Sequence, residues 1–184
     1  MAKIKFTTPI RNGMAQVTVD ALDAGAGPGK LKFYTAPMEV WAANTAYLVG
    51  SAVYMNGHVY ECTVAGTSGG SAPAWPASGT VADGGVTWTE AGTGDVLLGT
   101  LTLSDSAGTV ATGSITFGAI TQDSAADATG KARRAALFDS DDTLVCELDV
   151  TATGGGGAIT LNTVNIVEGG PILMNSLVIT MGGA

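Results

Sequence analysis

WAANTAYLVGSAVYMNGHVYECTVAGTSGGSAPAWPASGTVADGGVTWTEAG, residues 41–92, holds all three tryptophans of the chain, Trp41, Trp75 and Trp88, and three of its four tyrosines. The sequence on either side is aliphatic, glycine-rich and nearly free of aromatics. A composition break of this kind inside 184 residues points to a small module set into a host domain. Within the stretch, Asn56-Gly57 and Asp83-Gly84-Gly85 separate runs of alternating residues, Val53, Met55, Val59 and Tyr60 around the first, Val86 and Trp88 after the second. An Asn-Gly step flanked by alternation is a strong hairpin signal. The expectation is an inserted antiparallel unit of three or four strands over residues 39–94, carried by a discontinuous β scaffold, residues 1–38 and 95–184.

Outward from the module, TTPIRNGMAQVTVDALDAG reads as the one helix. Thr8 is the expected cap, Pro9 sits at the first helical position and Gly25 ends it. Ile10, Met14, Val17 and Leu22 approximate a helical stripe. KLKFYT alternates as a strand and Pro37 closes it. After the module, VLLGTLTLS, SITFGAIT, KARRAALFD, TLVCELDVT, AITLN and ILMNSLVITM are strand-like, separated by turns such as SDSAG, DSDD and EGGP. Asp139-Ser140-Asp141-Asp142 marks a hairpin, and Gly154 to Gly157 a flexible turn. Short strands at intervals of about ten residues predict a mainly β protein, an antiparallel β-sandwich or jelly-roll-like scaffold.

A hydrophobic content of 46% against 13% charged residues supports a packed core and excludes disorder. No apolar run approaches the roughly 18 residues of a membrane span. MAKIKFTTPI lacks the apolar stretch of a signal peptide, so synthesis and folding in a cytoplasm are expected. The net charge is −8, and its distribution is uneven: the module carries Glu39, Glu61, Asp83 and Glu90 and no Lys or Arg. Five of the eight basic residues lie in the first 38 positions, and no concentrated basic face is expected outside the short N-terminal arm, which argues against a nucleic-acid partner. Cys62 and Cys146 are too few for a disulfide framework and read as small buried hydrophobes.

Catalytic chemistry is not legible. His58 has neither a nucleophile nor an orienting carboxylate in any recognisable motif and reads as a polar turn residue. The acidic groups Asp139-Asp141-Asp142 and Asp123-Asp127 have oxygen ligands suited to calcium, but fit no EF-hand spacing and read as turn residues. Gly154 to Gly157 lacks the Lys and Ser/Thr of a phosphate-cradling loop. No enzyme, cofactor or metal site is expected.

The module resembles the small aromatic modules of phage tail and fibre proteins, and is similar to the chitin-binding type of carbohydrate-binding module. The shared steps are the leading Trp41, Tyr47 to Val53, Gly57 to Cys62, Thr67-Ser68-Gly69, Pro73 to Pro76, and the closing Asp83 to Trp88. The scaffold is similar to short structural proteins of tailed phages and prophages through GKLKFYTAPM, LLGTLTLSD, FGAITQDSAADATGKA and IVEGGPI. These resemblances imply a virion component made in a bacterial host. A capsid decoration (cement) protein docked on the major capsid protein lattice is the leading assignment, and a tail- or fibre-associated adhesin binding host surface polysaccharide is the alternative. A secreted polysaccharide-degrading enzyme fragment ranks last. Decoration implies a homo-oligomer, trimer or dimer, and the basic arm MAKIKF is the expected docking element.

Trp and Tyr combine large rigid contact area with a polar tip, and their exposed faces stack on the apolar faces of sugar rings. Trp75, on a loop bounded by Pro73 and Pro76, is the expected centre of a glycan site, with Tyr47, Tyr60 and Trp41 as further candidates. At least two of the tryptophans must form the core of so small a module, and Trp41 and Trp88 are the expected pair.

Overall fold

The computed structural model describes residues 5–182. Strands take 41% of the chain and helix 8%, which makes it mainly β. One helix, α1 (Thr8–Leu22), precedes β1 (Lys30–Tyr34); the aromatic module then contributes β2 (Ala46–Tyr47), β3 (Ala52–Met55), β4 (His58–Val64), β5 (Gly66–Thr67), β6 (Thr80–Asp83) and β7 (Val86–Thr93). The chain returns through β8 (Leu97–Thr102), β9 (Gly108–Ala111), β10 (Ser114–Phe117), β11 (Gly130–Lys131) and β12 (Arg134–Phe138). It ends with β13 (Leu144–Ala152), β14 (Ile159–Leu161), β15 (Asn165–Ile166) and β16 (Val178–Thr180).

The main sheet has the order β14-β13-β12-β1-β8, antiparallel except for the β13–β14 pair, and a second sheet has the order β16-β10-β9. In β1 the alternation read from KLKFY is realised: Leu31 and Phe33 are buried while Lys30, Lys32 and Tyr34 lie on the other face. Those two side chains join Leu101 of β8, Leu137 of β12 and Leu148 of β13 from one sheet, Ile115 and Phe117 of β10 from the other, and Val19 and Leu22 of α1. Fully burying each such side chain contributes about 1.5–3 kcal/mol. The result is a sandwich-like scaffold around one aliphatic core.

The helix departs from its sequence reading in two ways. Its N-cap is Thr7, one residue before the expected Thr8, and makes no side-chain capping bond. The stripe is divided: Leu22 is buried, but Ile10, Met14 and Val17 face outward, and Ala15 and Val19 supply the rest of the inward face. Ala15, Val19 and Leu22 form the face that packs inward, and the helix contacts β9 and β10. The run ILMNSLVITM yields only the three residues of β16, whereas β9 and β15 come from segments with no clear alternation.

Acidic turns serve as structural caps. Asp139 accepts the N–H groups of Asp141 and Thr143, closing the β12–β13 hairpin, and Asp142 binds Nζ of Lys30 at 2.9 Å and of Lys32 at 2.8 Å. Asp123 accepts the N–H groups of Thr100 and Ala125. Of the basic arm, residues 1–4 lie outside the described residues; Lys5 and Phe6 are exposed.

Strand β1 hands the chain to the module at Ala36, and β8 takes it back at Val96. Both crossings are tied together: Thr35 N–H donates to Val96 O, Ala36 N–H to Asp95 Oδ1, and Val96 N–H to Thr35 Oγ1. Arg134 clamps the junction by pairing with Asp95 and Glu147 while its guanidinium lies over the Tyr34 ring, 4.5 Å from the centroid.

Candidate functional site

The module is a four-stranded antiparallel sheet in the order β3-β4-β7-β6, with the short pair β2–β5 beside it. Both predicted hairpins form. Asn56 and Gly57 take positive φ, 53° and 81°, between the paired residues Met55 and His58, as a two-residue turn of the primed type requires. Gly84, at φ 60°, begins the β6–β7 turn, and a Cβ there would meet Thr67 O at 2.7 Å and Gly69 N at 2.8 Å. No larger residue fits, because the Thr67–Gly69 backbone packs directly on this turn.

Alternation along β4 gives the sheet two different faces. Tyr60 and Cys62 point to one side with Val53, Val86 and Trp88, forming the aromatic core. Val59 and Glu61 point to the other side, toward the scaffold. There Val59 and Ala52 pack on Ala36, and Glu61 Oε2 accepts from Lys131 Nζ at 2.9 Å and Arg133 Nη2 at 2.8 Å. Burial alone raises the pKa of Glu61, but hydrogen bonds from Lys131 and Arg133, with the attraction of their charges, hold it below the ordinary carboxylate value. The aromatic face therefore lies on the side of the sheet away from this contact.

The expected site residues divide into two classes. Of the expected stacking residues, Tyr47 and Tyr60 are 6% and 1% exposed and lie within the module core. Tyr47 packs edge-on against Trp88 at a centroid distance of 4.8 Å, and its hydroxyl oxygen accepts the Ala42 N–H at 2.8 Å. Tyr60 lies 4.5 Å from the Trp75 ring and donates its hydroxyl to Pro76 O at 2.7 Å, fixing the loop that carries Trp75. Such a small unit has too little aliphatic material to build a core, so its aromatics must supply one. Trp88 is wholly buried, as expected. Trp41 and Trp75 are half-buried and pack over the same aromatic core, the two indoles of the module that retain exposed surface.

Loop residues hold these indoles. Asp83, 4% exposed, accepts the indole N–H of Trp41 at 2.7 Å and of Trp88 at 3.0 Å on Oδ2, and the Gly69 N–H at 2.8 Å on Oδ1. Burial raises the pKa of Asp83, but the bonds from Trp88, Gly69 and Trp41 outweigh it and hold the carboxyl below its ordinary value. Ser68 is also buried; its hydroxyl donates to Ala42 O at 2.7 Å and accepts the Thr45 N–H at 3.0 Å. Asn44, at φ 52°, donates its N–H to Gly69 O. Sequence reading saw Asp83 and Ser68 only as turn and motif residues. The closing Asp-Gly-x-Val-x-Trp step carried the signal, since a carboxylate five residues before a core Trp is placed to receive its N–H.

The remaining sequence candidates sit elsewhere. His58 opens β4 and its Nδ1 lies 3.1 Å from Glu90 Oε1, which also accepts the Gly92 N–H. Cys62 and Cys146 are free thiols; burial raises both pKa values, and Cys62 Sγ donates to Val64 O at 3.2 Å. Chemically, the site offers two rigid half-exposed indoles, hydroxyl and backbone groups around them, and, among the described residues, no cation.

Residues 40–89 match the carbohydrate-binding module family 5/12, which places a carbohydrate-binding-like module over the whole aromatic segment from Val40 to Thr89. The chain has no match among curated proteins or solved structures.

Proposed function

We propose that this chain is a non-enzymatic display protein whose residues 39–94 bind a neutral glycan on Trp41 and Trp75. The single observation that carries the reading is the pair of half-buried indoles over one aromatic core, inside the segment that matches the carbohydrate-binding family. Indole faces stack on the apolar faces of sugars while hydroxyl and amide groups at the rim bond the ring hydroxyls. With four acidic residues and no Lys or Arg between residues 39 and 94, the module lacks the forks and ammonium groups that recognise anionic polysaccharides.

A titration of the full chain with neutral β-linked oligomers, chitin-type and cellulose-type, and with an anionic polysaccharide tests this. Saturable tryptophan fluorescence changes are expected with a neutral oligomer only. One shallow stacking site implies a Kd between high micromolar and millimolar, on the order of −4 to −6 kcal/mol. Trp75→Ala and Trp41→Ala should each weaken the response, and silence toward every glycan at millimolar concentration sinks the reading.

The scaffold's resemblance to tailed-phage structural proteins supports display on a virion, as a capsid decoration protein whose many copies turn weak sugar contacts into adhesion. Copy number in purified particles tests the location. Hundreds of copies fit the capsid, a few to a few tens fit a tail adhesin, and absence from particles removes the virion role.

A further inference from the structure

We infer that Asp83 is the positioning residue of the glycan face: its one carboxylate locks the Trp41 ring and the Ser68–Gly70 loop onto the Trp88 core and enriches the indole that a sugar would meet. The consequence for sugar binding rests on the proposed function; the carboxylate network does not.

A buried carboxylate with no cation beside it is a costly group in a small core, and an apolar or amide residue would ordinarily replace it. Here the partners explain the choice. All three groups that reach Asp83 are donors, the N–H groups of Trp41, Trp88 and Gly69. A carboxylate offers acceptor sites on both oxygens and no N–H or O–H of its own. Asn would turn an amide N–H₂ toward one of these donors. The three donors come from three separate segments: the chain entering the module, the loop after β5, and β7. One side chain therefore fixes their relative positions.

Trp88 is wholly buried, so its share of this arrangement serves packing, but Trp41 keeps exposed ring surface. The Trp41 bond, at 2.7 Å, is the shorter of the two and is charge-assisted. Donation from N–H to an anion leaves more electron density in the ring, and the negative π face is what attracts the positively polarised C–H groups of a sugar. Trp75 has no such support; its buried N–H meets no acceptor among the described residues and the ring is held by Tyr60 and Trp88.

Among the described residues of the module, Glu61 faces Lys131 and Arg133, Glu90 faces His58, and Glu39 is exposed; Tyr60 and Cys62, which pack on the same core, have pKa values raised by burial.

The test is indole N–H NMR on the ¹⁵N-labelled full chain, with chitohexaose as the glycan probe. In the wild type the Trp41 and Trp88 indole signals should titrate together at one pH below the ordinary aspartate range, while the Trp75 signal does not follow. Asp83→Asn should abolish both titrations and weaken chitohexaose binding about tenfold, equivalent to roughly 1.4 kcal/mol. The same substitution in a Trp41→Phe background should cost nothing further in affinity. Independent titrations of the two indoles in the wild type, or none, overturn the inference without any variant having to fold. Unchanged affinity in a folded Asp83→Asn chain overturns its link to the sugar face. A wild type that binds no glycan defeats the proposed function and leaves the carboxylate network to be judged by the indole titration.

Discussion

At the scale of single residues, the two classes of module aromatic should respond oppositely to truncation. Trp88→Ala removes a wholly buried indole and its bond to Asp83, a loss of about 3–5 kcal/mol that exceeds what so small a core supplies. The module should unfold, seen as loss of dispersed amide signals from residues 41–92. Trp75→Ala should leave those signals dispersed, because that ring is half-buried at the edge of the core. Acid stability offers a second residue-level check. Asp83 has a folded pKa below its unfolded value, so its stabilisation is complete above the ordinary aspartate pKa of about 3.9 and disappears as pH falls through the lower folded value. Urea midpoints of the module should fall in that acid window for the wild type, and Asp83→Asn should flatten this part of the curve.

Among elements, α1 is the sharpest case. Its most conspicuous stripe, Ile10, Met14 and Val17, looks outward, and its quieter residues Ala15 and Val19 look inward with Leu22. Leu22→Ala should cost about 2–5 kcal/mol. Val17→Ala, at a position 69% exposed, should stay within about 0.5 kcal/mol of the wild type. Denaturant midpoints of the two variants decide the matter, and similar losses would mean the helix faces the other way. Strand β4 shows the same logic with a legible outcome. Period-2 alternation sends Tyr60 and Cys62 to the aromatic core and Val59 and Glu61 to the scaffold, so one strand serves two cores.

For the whole molecule, the geometry of the junction makes two predictions. Tyr34 and Leu97 are paired across β1 and β8, and Thr35 is bonded to Val96, so the ends flanking the module lie side by side. Replacing residues 39–94 with a short Gly/Ser loop should leave a folded β scaffold with cooperative unfolding; loss of cooperativity would mean one shared core. Conversely, Glu61 joins the module to Lys131 and Arg133, the ion pairs that hold its scaffold-facing side. Glu61→Gln should let the module reorient, read as separate rotational correlation times for the two parts in ¹⁵N relaxation, where the wild type shows one.

Alternation in KLKFY, the Asn56-Gly57 and Asp83-Gly84 turns, and the concentration of Trp and Tyr between residues 41 and 92 were local signals. They determined the β class, the hairpins and the existence of an aromatic module, because turn dihedrals and strand period depend on neighbours in the chain. Which aromatics stay partly exposed was not local. Tyr60 and Trp75 are fifteen residues apart and pack ring against ring at a 43° tilt, one buried and the other not, and no periodicity distinguishes them. Asp83 gains its meaning only when Trp41, Gly69 and Trp88 converge on it, and Glu61 only when Lys131 and Arg133 arrive from β11 and the residues before β12. The tertiary structure decided these roles because burial and charge pairing depend on distances that the chain sets by folding back on itself.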